Sequence, residues 1–420
     1  MRLTIHRGAN QIGGSCVEIA TDQTRIILDV GVPLDAMESE SPTPLDVPGL
    51  FQDGKRVDAI LLSHSHLDHC GLLPLADPKI PVYLSKGADQ GLAILRLFAR
   101  QDLAKGHHLR PTLKSGFTQC FGDIRVTPFE VNHSAPGCLA FLIEAAGGTV
   151  FYSGDLRLHG RQSHLFKELR AGIKRKKIDV LLMEGTTLAT GRRKGVTESE
   201  LETKLYEKIS NASGLVFALL SPLHLDRLKS FLNAAQRSGR TFVPDLYAAY
   251  VMHMFQKEGF PSPARRRGIP VFFNEGSRNK IERSKLNSEF KRNEIARADL
   301  LSNPERYVLP ARLSTFELDF PEIPPGSTFI YSFWRGYLEQ AEWKKLTDRI
   351  RAAGSGFVPC HTSGHIFPDD IKRFIETLQP RLLVPIHTEA PGAFKKLHPR
   401  TKLLEDGEIL GINCPARLRP

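Results

Sequence analysis

The chain has 420 residues, 41% of them hydrophobic and 25% charged, the make-up of a folded, water-soluble protein long enough to bury its cores without disulfides. Fifty-seven basic against 46 acidic residues leave a formal charge of +11, which favours a polyanionic partner or substrate. No segment approaches the roughly 20 apolar residues that a bilayer crossing needs, and the first six residues hold no apolar signal core, so membrane partners are excluded and a cytoplasmic protein is expected.

In chain order, short apolar strands cut by glycine turns are predicted at 2–5, 15–20, 25–28, 58–62, 82–84, 124–128, 140–144 and 149–152. The glycine-rich stretch 8–14 reads as the turn between the first two strands and lacks the dinucleotide-binding spacing. Helical periodicity first appears at 88–100. Strands followed by outer helices predict an α/β protein built as an αββα sandwich. From about residue 197 the texture changes to an α/β alternation. A helix is predicted at 198–210 with Thr197 as its N-cap, then a strand at 214–221, a helix at 226–238 and a strand at 241–244. A basic stretch follows, comprising Arg265, Arg266, Arg267, Arg278, Lys280, Arg283, Lys285, Lys291 and Arg292. It reads either as a track for a phosphate backbone or as a solvated surface paired with Glu275, Glu282, Glu289 and Glu294. Strands at 307–310 and 328–332, a helix at 338–353, a strand at 356–360, a helix at 369–378 and a strand at 381–386 complete the alternation. The tail 401–412, with its Asp406-Gly407 turn, predicts a small hairpin.

Six cysteines (Cys16, Cys70, Cys120, Cys138, Cys360, Cys414) include no Cys-x-x-Cys pair. That spacing argues against a zinc ribbon or a disulfide framework and suits buried free thiols in a reducing compartment.

The strongest chemical signal is His64-Ser65-His66-Leu67-Asp68-His69, directly after the apolar run Ala59-Ile60-Leu61-Leu62. Residues two apart in extended backbone point the same way, so His64 and His66 can grip one cation, with Asp68 and His69 one turn on beside a second. A histidine-rich polar loop is the bland alternative, but four potential ligands in six residues behind a buried strand are what a zinc-like ion selects. His107, His108, His224 and His253, isolated from this motif, are not expected to be ligands.

The hexapeptide resembles the His-x-His-x-Asp-His signature of metallo-β-lactamase-fold hydrolases. Further family motifs follow in order: Asp29 at the end of Ile26-Ile27-Leu28, His133 in Val131-Asn132-His133-Ser134, Asp155 after Tyr152-Ser153-Gly154, and His387 after Val384-Pro385-Ile386. The resemblance implies that one ion takes His64, His66 and His133, and the other Asp68, His69 and His387, with Asp155 bridging. It also implies that Asp29 orients ligands and the attacking water from behind. Two divalent ions are implied, with Zn2+ expected and Mn2+ as the alternative.

About 230 residues separate Asp155 from His387, and their texture resembles the β-CASP insertion of the nucleic-acid-processing branch, which implies a first domain at 1–196, an insertion at 197–360, and 361–420 returning to the first domain. Three matches carry this: Glu184 ending Leu181-Leu182-Met183, the segment 214–240 with Ser221, Arg227, Gly239 and Arg240, and His361-Thr362-Ser363-Gly364-His365. The last is similar to the Ser-Gly-His element of ribonuclease J-like proteins. A histidine at 387 marks the RNA-processing members, which places RNA ahead of DNA as partner. The resemblance implies a nuclease in which two ions activate water against phosphorus, His365 is the general acid and Glu184 keeps it protonated and aimed. Glu184 read without the resemblance is a strand-end helix cap. Ser363 and Gly364 are the substrate contacts the resemblance implies, while Trp334, Arg335 and Tyr337 are read from their side chains as stacking surfaces for a single strand.

The family's Pro-Gly-Asn-Glu loop is replaced here by Phe333-Trp334-Arg335-Gly336-Tyr337, which leaves recognition of a 5′ phosphate open. So are exonuclease or endonuclease mode and the oligomeric state, a homodimer included. Rival readings are a small-molecule hydrolase of the same fold, a DNA exonuclease of the same branch, and an inactive RNA-binding scaffold. The first has no use for the insertion, and the last conflicts with a filled set of ligand positions.

Overall fold

The computed structural model describes residues 1–36, 42–99, 102–266, 268–281 and 285–412. Arg267, Glu282, Arg283 and Cys414 lie outside the described residues. The chain forms two compact units: one of residues 1–96, 101–195 and 364–420, the other of 97–100 and 196–363.

Two sheets build the first unit. One has seven strands in the order Ile409–Gly411, Arg2–Arg7, Cys16–Ala20, Arg25–Leu28, Ala59–Leu61, Val82–Tyr83, Leu109–Arg110. The other has six, in the order Leu382–Ile386, Val180–Glu184, Gly148–Tyr152, Leu139–Ala145, Ile124–Glu130, Gln119–Phe121. Alternating side chains of both, among them Leu3, Ile5, Val17, Ile26, Leu28, Val126, Phe141, Ile143 and Leu182, fill the buried layer between them. The opposite faces are covered by helices. Ala88 and Leu92 of Lys86–Phe98 pack on one sheet, while Leu169 of Ser163–Ile173 and Ile371 and Phe374 of Pro368–Leu378 pack on the other. These four layers are the predicted αββα sandwich.

The second unit holds an all-parallel five-stranded sheet, in the order Thr241–Phe242, Tyr307–Ala311, Val216–Leu219, Thr328–Tyr331, Gly356–Pro359. Its strands are continuous apolar runs because helices cover a parallel sheet on both faces. Glu198–Ser210 starts with a full capping box between Thr197 and Glu200. Buried Arg227 on Leu225–Arg237 donates to Glu198 at 2.9 Å, to the Ser332 hydroxyl at 2.6 Å and to the Thr362 carbonyl at 3.0 Å.

Two expectations are corrected. The tail is no hairpin, because its strand Ile409–Gly411 runs antiparallel to Arg2–Arg7, and Thr401 bridges Leu383. An unfilled sheet edge outcompetes a local turn. The helix predicted at 338–353 spans Ala341–Ala352, preceded by a separate 3-10 turn, Arg335–Glu339. Among the described residues Cys16, Cys70, Cys138 and Cys360 are buried free thiols and Cys120 is an exposed one.

Candidate metal centre

The site is assembled at the C-terminal ends of strands. Arg25–Leu28 delivers Asp29, Ala59–Leu61 leads to Ser63 and His64, Ile124–Glu130 to His133, Gly148–Tyr152 to Asp155, and Leu382–Ile386 to His387, while Glu184 ends its own strand. The turn Leu67–Cys70 orients Asp68 and His69. It is held by Ser15 N–H on the Asp68 carbonyl at 3.0 Å and Val30 N–H on the His69 carbonyl at 2.7 Å. Gly31 lies so close beneath that turn that any Cβ would overlap the Asp68 carbonyl. Three described non-glycine residues have positive φ, and two of them are Asp29 (61°) and His387 (53°). Strain of this kind persists where surrounding bonds over-determine the backbone.

Three side-chain groups emerge whose donor atoms lie within 4.8 Å of one another: His64, His66 and His133; Asp68, His69, Asp155 and His387; and Asp155, Glu184, His365 and His387. In the first, His64 Nε2 is 3.1 Å from His66 Nδ1, which is 3.3 Å from His133 Nε2. Ligands about 2.0–2.1 Å from a tetrahedral cation stand roughly 3.3–3.4 Å apart, so the spacing is that of a ligand set. In the second, Asp68 Oδ2 is 3.1 Å from His387 Nε2, and Asp155 Oδ2 is 3.1 Å from His69 Nε2. Asp155 Oδ2 is also 3.7 Å from His133 Nε2 and 3.9 Å from His64 Nε2, so it touches both groups.

Hydrogen bonds select the tautomers. Ser63 Oγ donates to Asp29 Oδ2 at 2.8 Å, so the 3.0 Å contact to His64 Nδ1 is a bond that His64 donates. His69 Nδ1–H donates to Asp29 at 2.8 Å, His133 Nδ1–H to the Gly364 carbonyl at 2.7 Å and His387 Nδ1–H to Thr186 Oγ1 at 2.9 Å. Each of these four rings is thereby left with Nε2 toward its cluster. The Ser63 amide (2.7 Å) and the Tyr152 hydroxyl (2.8 Å) also donate to Asp29. Asn132 accepts from Arg157 twice, through its carbonyl at 2.7 Å and its Oδ1 at 2.6 Å, tying the His133 loop to the Asp155 loop.

Electrostatics follow from burial. Desolvation, reinforced by neighbouring imidazoles, lowers the pKa of His64, His66 and His133, keeping them neutral as cation ligands must be. Burial opposes charge on Asp68 and Asp155 too, but the imidazoles of His69 and His387 outweigh it and hold both carboxyls low. His69 is raised, its burial overcome by Asp155, Asp29 and Asp68. Both oxygens of Asp155 and Nε2 of His69 are buried, and apart from the 3.1 Å contact between Asp155 Oδ2 and that His69 nitrogen they make no well-aligned hydrogen bond. A buried carboxylate needs compensating positive charge, which here comes from the facing imidazoles or from a bound cation. The His/Asp clusters fit a divalent-metal site.

The third group is of another kind. His365 Nδ1–H donates to the Glu184 carboxylate, 3.1 Å from Oε2 and 3.2 Å from Oε1. Burial works against a charged His365, but Glu184 and Asp155 outweigh it and raise it to about 9. Glu184 also accepts from the amide of Leu156, a loop residue, at 3.0 Å, and it caps no helix, since the 3-10 turn that follows has Thr187 at its N-cap. Gly364 is engaged through its carbonyl by His133, and Ser363 is the last residue of the second unit. Trp334 and Arg335 are exposed on the second unit. Arg278 of the basic stretch pairs with Glu275 (3.6 Å) and Glu294 (3.2 Å), as a solvated surface does. His107, His108, His224 and His253 belong to none of the three groups.

Sequence reasoning missed Ser63, Tyr152, Thr186 and the Asn132–Arg157 tie. Ser63 and Thr186 stand beside motif residues, and Tyr152 ends a strand whose alternation points it inward; those were the available signals.

Fold and site point to a class: residues 24–202, under half of the chain, match the family model described as Beta-lactamase superfamily domain. More particularly, its curated relatives include proteins named ribonuclease J. The one from Mycolicibacterium smegmatis is 30% identical over 57% of this chain and 43% of its own length. The one from Pyrococcus abyssi is 25% identical over 96% of this chain and 92% of its own length. The chain thus spans under half of the mycobacterial relative. A solved structure, described as a protein of unknown function from Enterococcus faecalis V583, matches 97% of this chain and 99% of its own with a TM-score of 0.79 at 22% identity, a likeness of fold. No described helix is long and apolar enough to cross a membrane.

Proposed function

We propose that the chain is a metal-dependent nuclease that hydrolyses phosphodiester bonds of RNA. The observation that carries the reading is the meeting of the buried Asp155 carboxylate with imidazoles of both clusters, His69 at 3.1 Å on one side and His133 at 3.7 Å on the other. The ribonuclease J names of the relatives supply the substrate class.

His64, His66 and His133 would hold one cation and Asp68, His69 and His387 the other, with Asp155 shared; Zn2+ is the expected ion and Mn2+ the alternative. When bound, such a pair lowers the pKa of water and neutralises charge on phosphoryl oxygens. Asp29 fixes His69 through its 2.8 Å hydrogen bond, and Thr186 fixes His387. His365 donates a proton to the departing oxygen: Glu184 occupies its Nδ1–H, leaving Nε2–H for the leaving group. Ser363 and Gly364, which lead into His365, are assigned to substrate on the resemblance alone.

The test is digestion of 5′-labelled RNA and DNA oligonucleotides of one sequence by wild type, Asp68→Ala and His365→Ala. Wild type should prefer RNA. Asp68→Ala should lose cleavage together with metal, and His365→Ala should lose about 10²–10⁴-fold in rate with metal retained. Equal rates in His365→Ala and wild type would remove the general-acid assignment, and preference for DNA would overturn the substrate.

A further inference from the structure

The second unit carries an aromatic residue that is both exposed and pinned. Trp334 keeps 61% of its surface accessible, while the chain's other tryptophan, Trp343, is buried at 7%. An exposed side chain of this size is free to flatten onto neighbouring apolar surface, yet the indole is bounded on two sides and its backbone is tied to the strand below. The backbone of Gly336 lies directly under it, so close that a methyl at Gly336 would overlap the ring. Tyr337 meets it edge-on, with centroids 5.5 Å apart and planes at 88°. The Tyr331 hydroxyl, from the buried strand below, donates to the Trp334 carbonyl at 2.8 Å. Beneath lies an aromatic base in which Tyr331, Phe333 and Trp343 pack with centroids 5.2–5.9 Å apart.

The charge beside it is equally specific. Arg335 is exposed, and among the described residues no carboxylate pairs with it. The nearby Glu339 pairs with Lys344 instead, at 3.2 Å. A fixed aromatic face beside an unpaired guanidinium offers one surface for a base and one charge for the adjoining phosphate, the combination by which single strands are held without sequence preference. Duplexes, whose bases are already stacked, have no face to offer it.

We propose that Trp334, set by Gly336 and Tyr337, is a stacking platform for an unpaired base of a single-stranded nucleic acid, and that Arg335 takes the neighbouring phosphate. The proposal rests on the nuclease reading for its ligand class, and adds a strand-binding position that the metal clusters do not include.

The two tryptophans make the experiment direct. The full chain is titrated with a 12-mer oligouridylate in EDTA, so that nothing is cleaved, and tryptophan emission is followed. Wild type should show saturable quenching. Trp334→Phe should lose the quenched component, and Trp334→Ala should weaken binding about 5- to 100-fold, the range of one base–aromatic stack. Gly336→Ala, which keeps the indole but displaces it, should weaken binding in the same direction; Gly336 has no positive φ, so alanine fits its backbone. Arg335→Ala should lower the slope of log Kd against log salt by about one contact. A self-complementary RNA duplex should leave the emission unchanged.

Unchanged affinity in Trp334→Ala, or equal quenching by the duplex, overturns the proposal. So does a wild-type chain that sediments as a dimer while Trp334→Ala sediments as a monomer, which would make this face a contact between copies. Cleavage measured in parallel with metal separates the two readings. A chain that cleaves RNA without quenching loses only the platform, and one that quenches without cleaving loses only the nuclease.

Discussion

Asp29 accepts four hydrogen bonds, from the Ser63 amide and hydroxyl, His69 and Tyr152, on a backbone at φ 61°. Its carboxylate therefore fixes two histidines at once, His69 directly and His64 through Ser63. Asp29→Asn keeps the volume but replaces an acceptor oxygen with a donor. We expect a 10- to 100-fold loss of metal affinity, read by calorimetric titration of metal-stripped protein. A second carboxylate predicts pH behaviour. Burial raises Glu18, but hydrogen bonds from His6 and Arg25 and the Arg25 charge outweigh it and hold it at about 2. Because its folded pKa lies below the unfolded one, its contribution to stability is complete above about pH 4.5 and is lost as pH falls toward 2. Urea midpoints should therefore fall more steeply between pH 5 and 3 in wild type than in Glu18→Gln; parallel curves would remove the assignment. At this scale the ligand residues were legible because their spacing is itself the chemistry. The groups that fix their tautomers were not, since one of them, the Gly364 carbonyl, is backbone that every residue possesses.

Elements were legible where a periodic pattern met no competitor. The helix start at Thr197 and the strand leading to His64 depend on local caps and apolar runs, and both stand as read. The tail misled because an Asp-Gly turn is a local signal, whereas its strand is claimed by Arg2–Arg7, some 400 residues away in sequence. Residues 338–353 misled because the helical pattern runs across a break at Gln340, where the backbone is extended at ψ 148°. Glu198 and Arg227 join two helices of the second unit through a pair in which both side chains are fully buried. Removing one partner strands the other charge, so Glu198→Ala should cost about 3–5 kcal/mol in urea unfolding. Replacing both by apolar residues of similar size should cost much less, and equal losses would show that packing rather than charge holds these helices.

The returning segment 364–420 supplies the edge strand of both sheets in the first unit, Ile409–Gly411 beside Arg2–Arg7 and Leu382–Ile386 beside Val180–Glu184. The same segment carries His365 and His387, so the unit closes and completes its site in one step. A chain ending at residue 363 should neither fold cooperatively nor retain metal, checked by thermal melting and metal analysis. The most direct test of the whole account is the number of divalent cations retained per chain after metal loading and desalting. Two per wild-type chain, falling in Asp155→Ala, is the result expected if that carboxylate joins two clusters. One or none in a folded wild-type chain, or two in a folded Asp155→Ala chain, would contradict it.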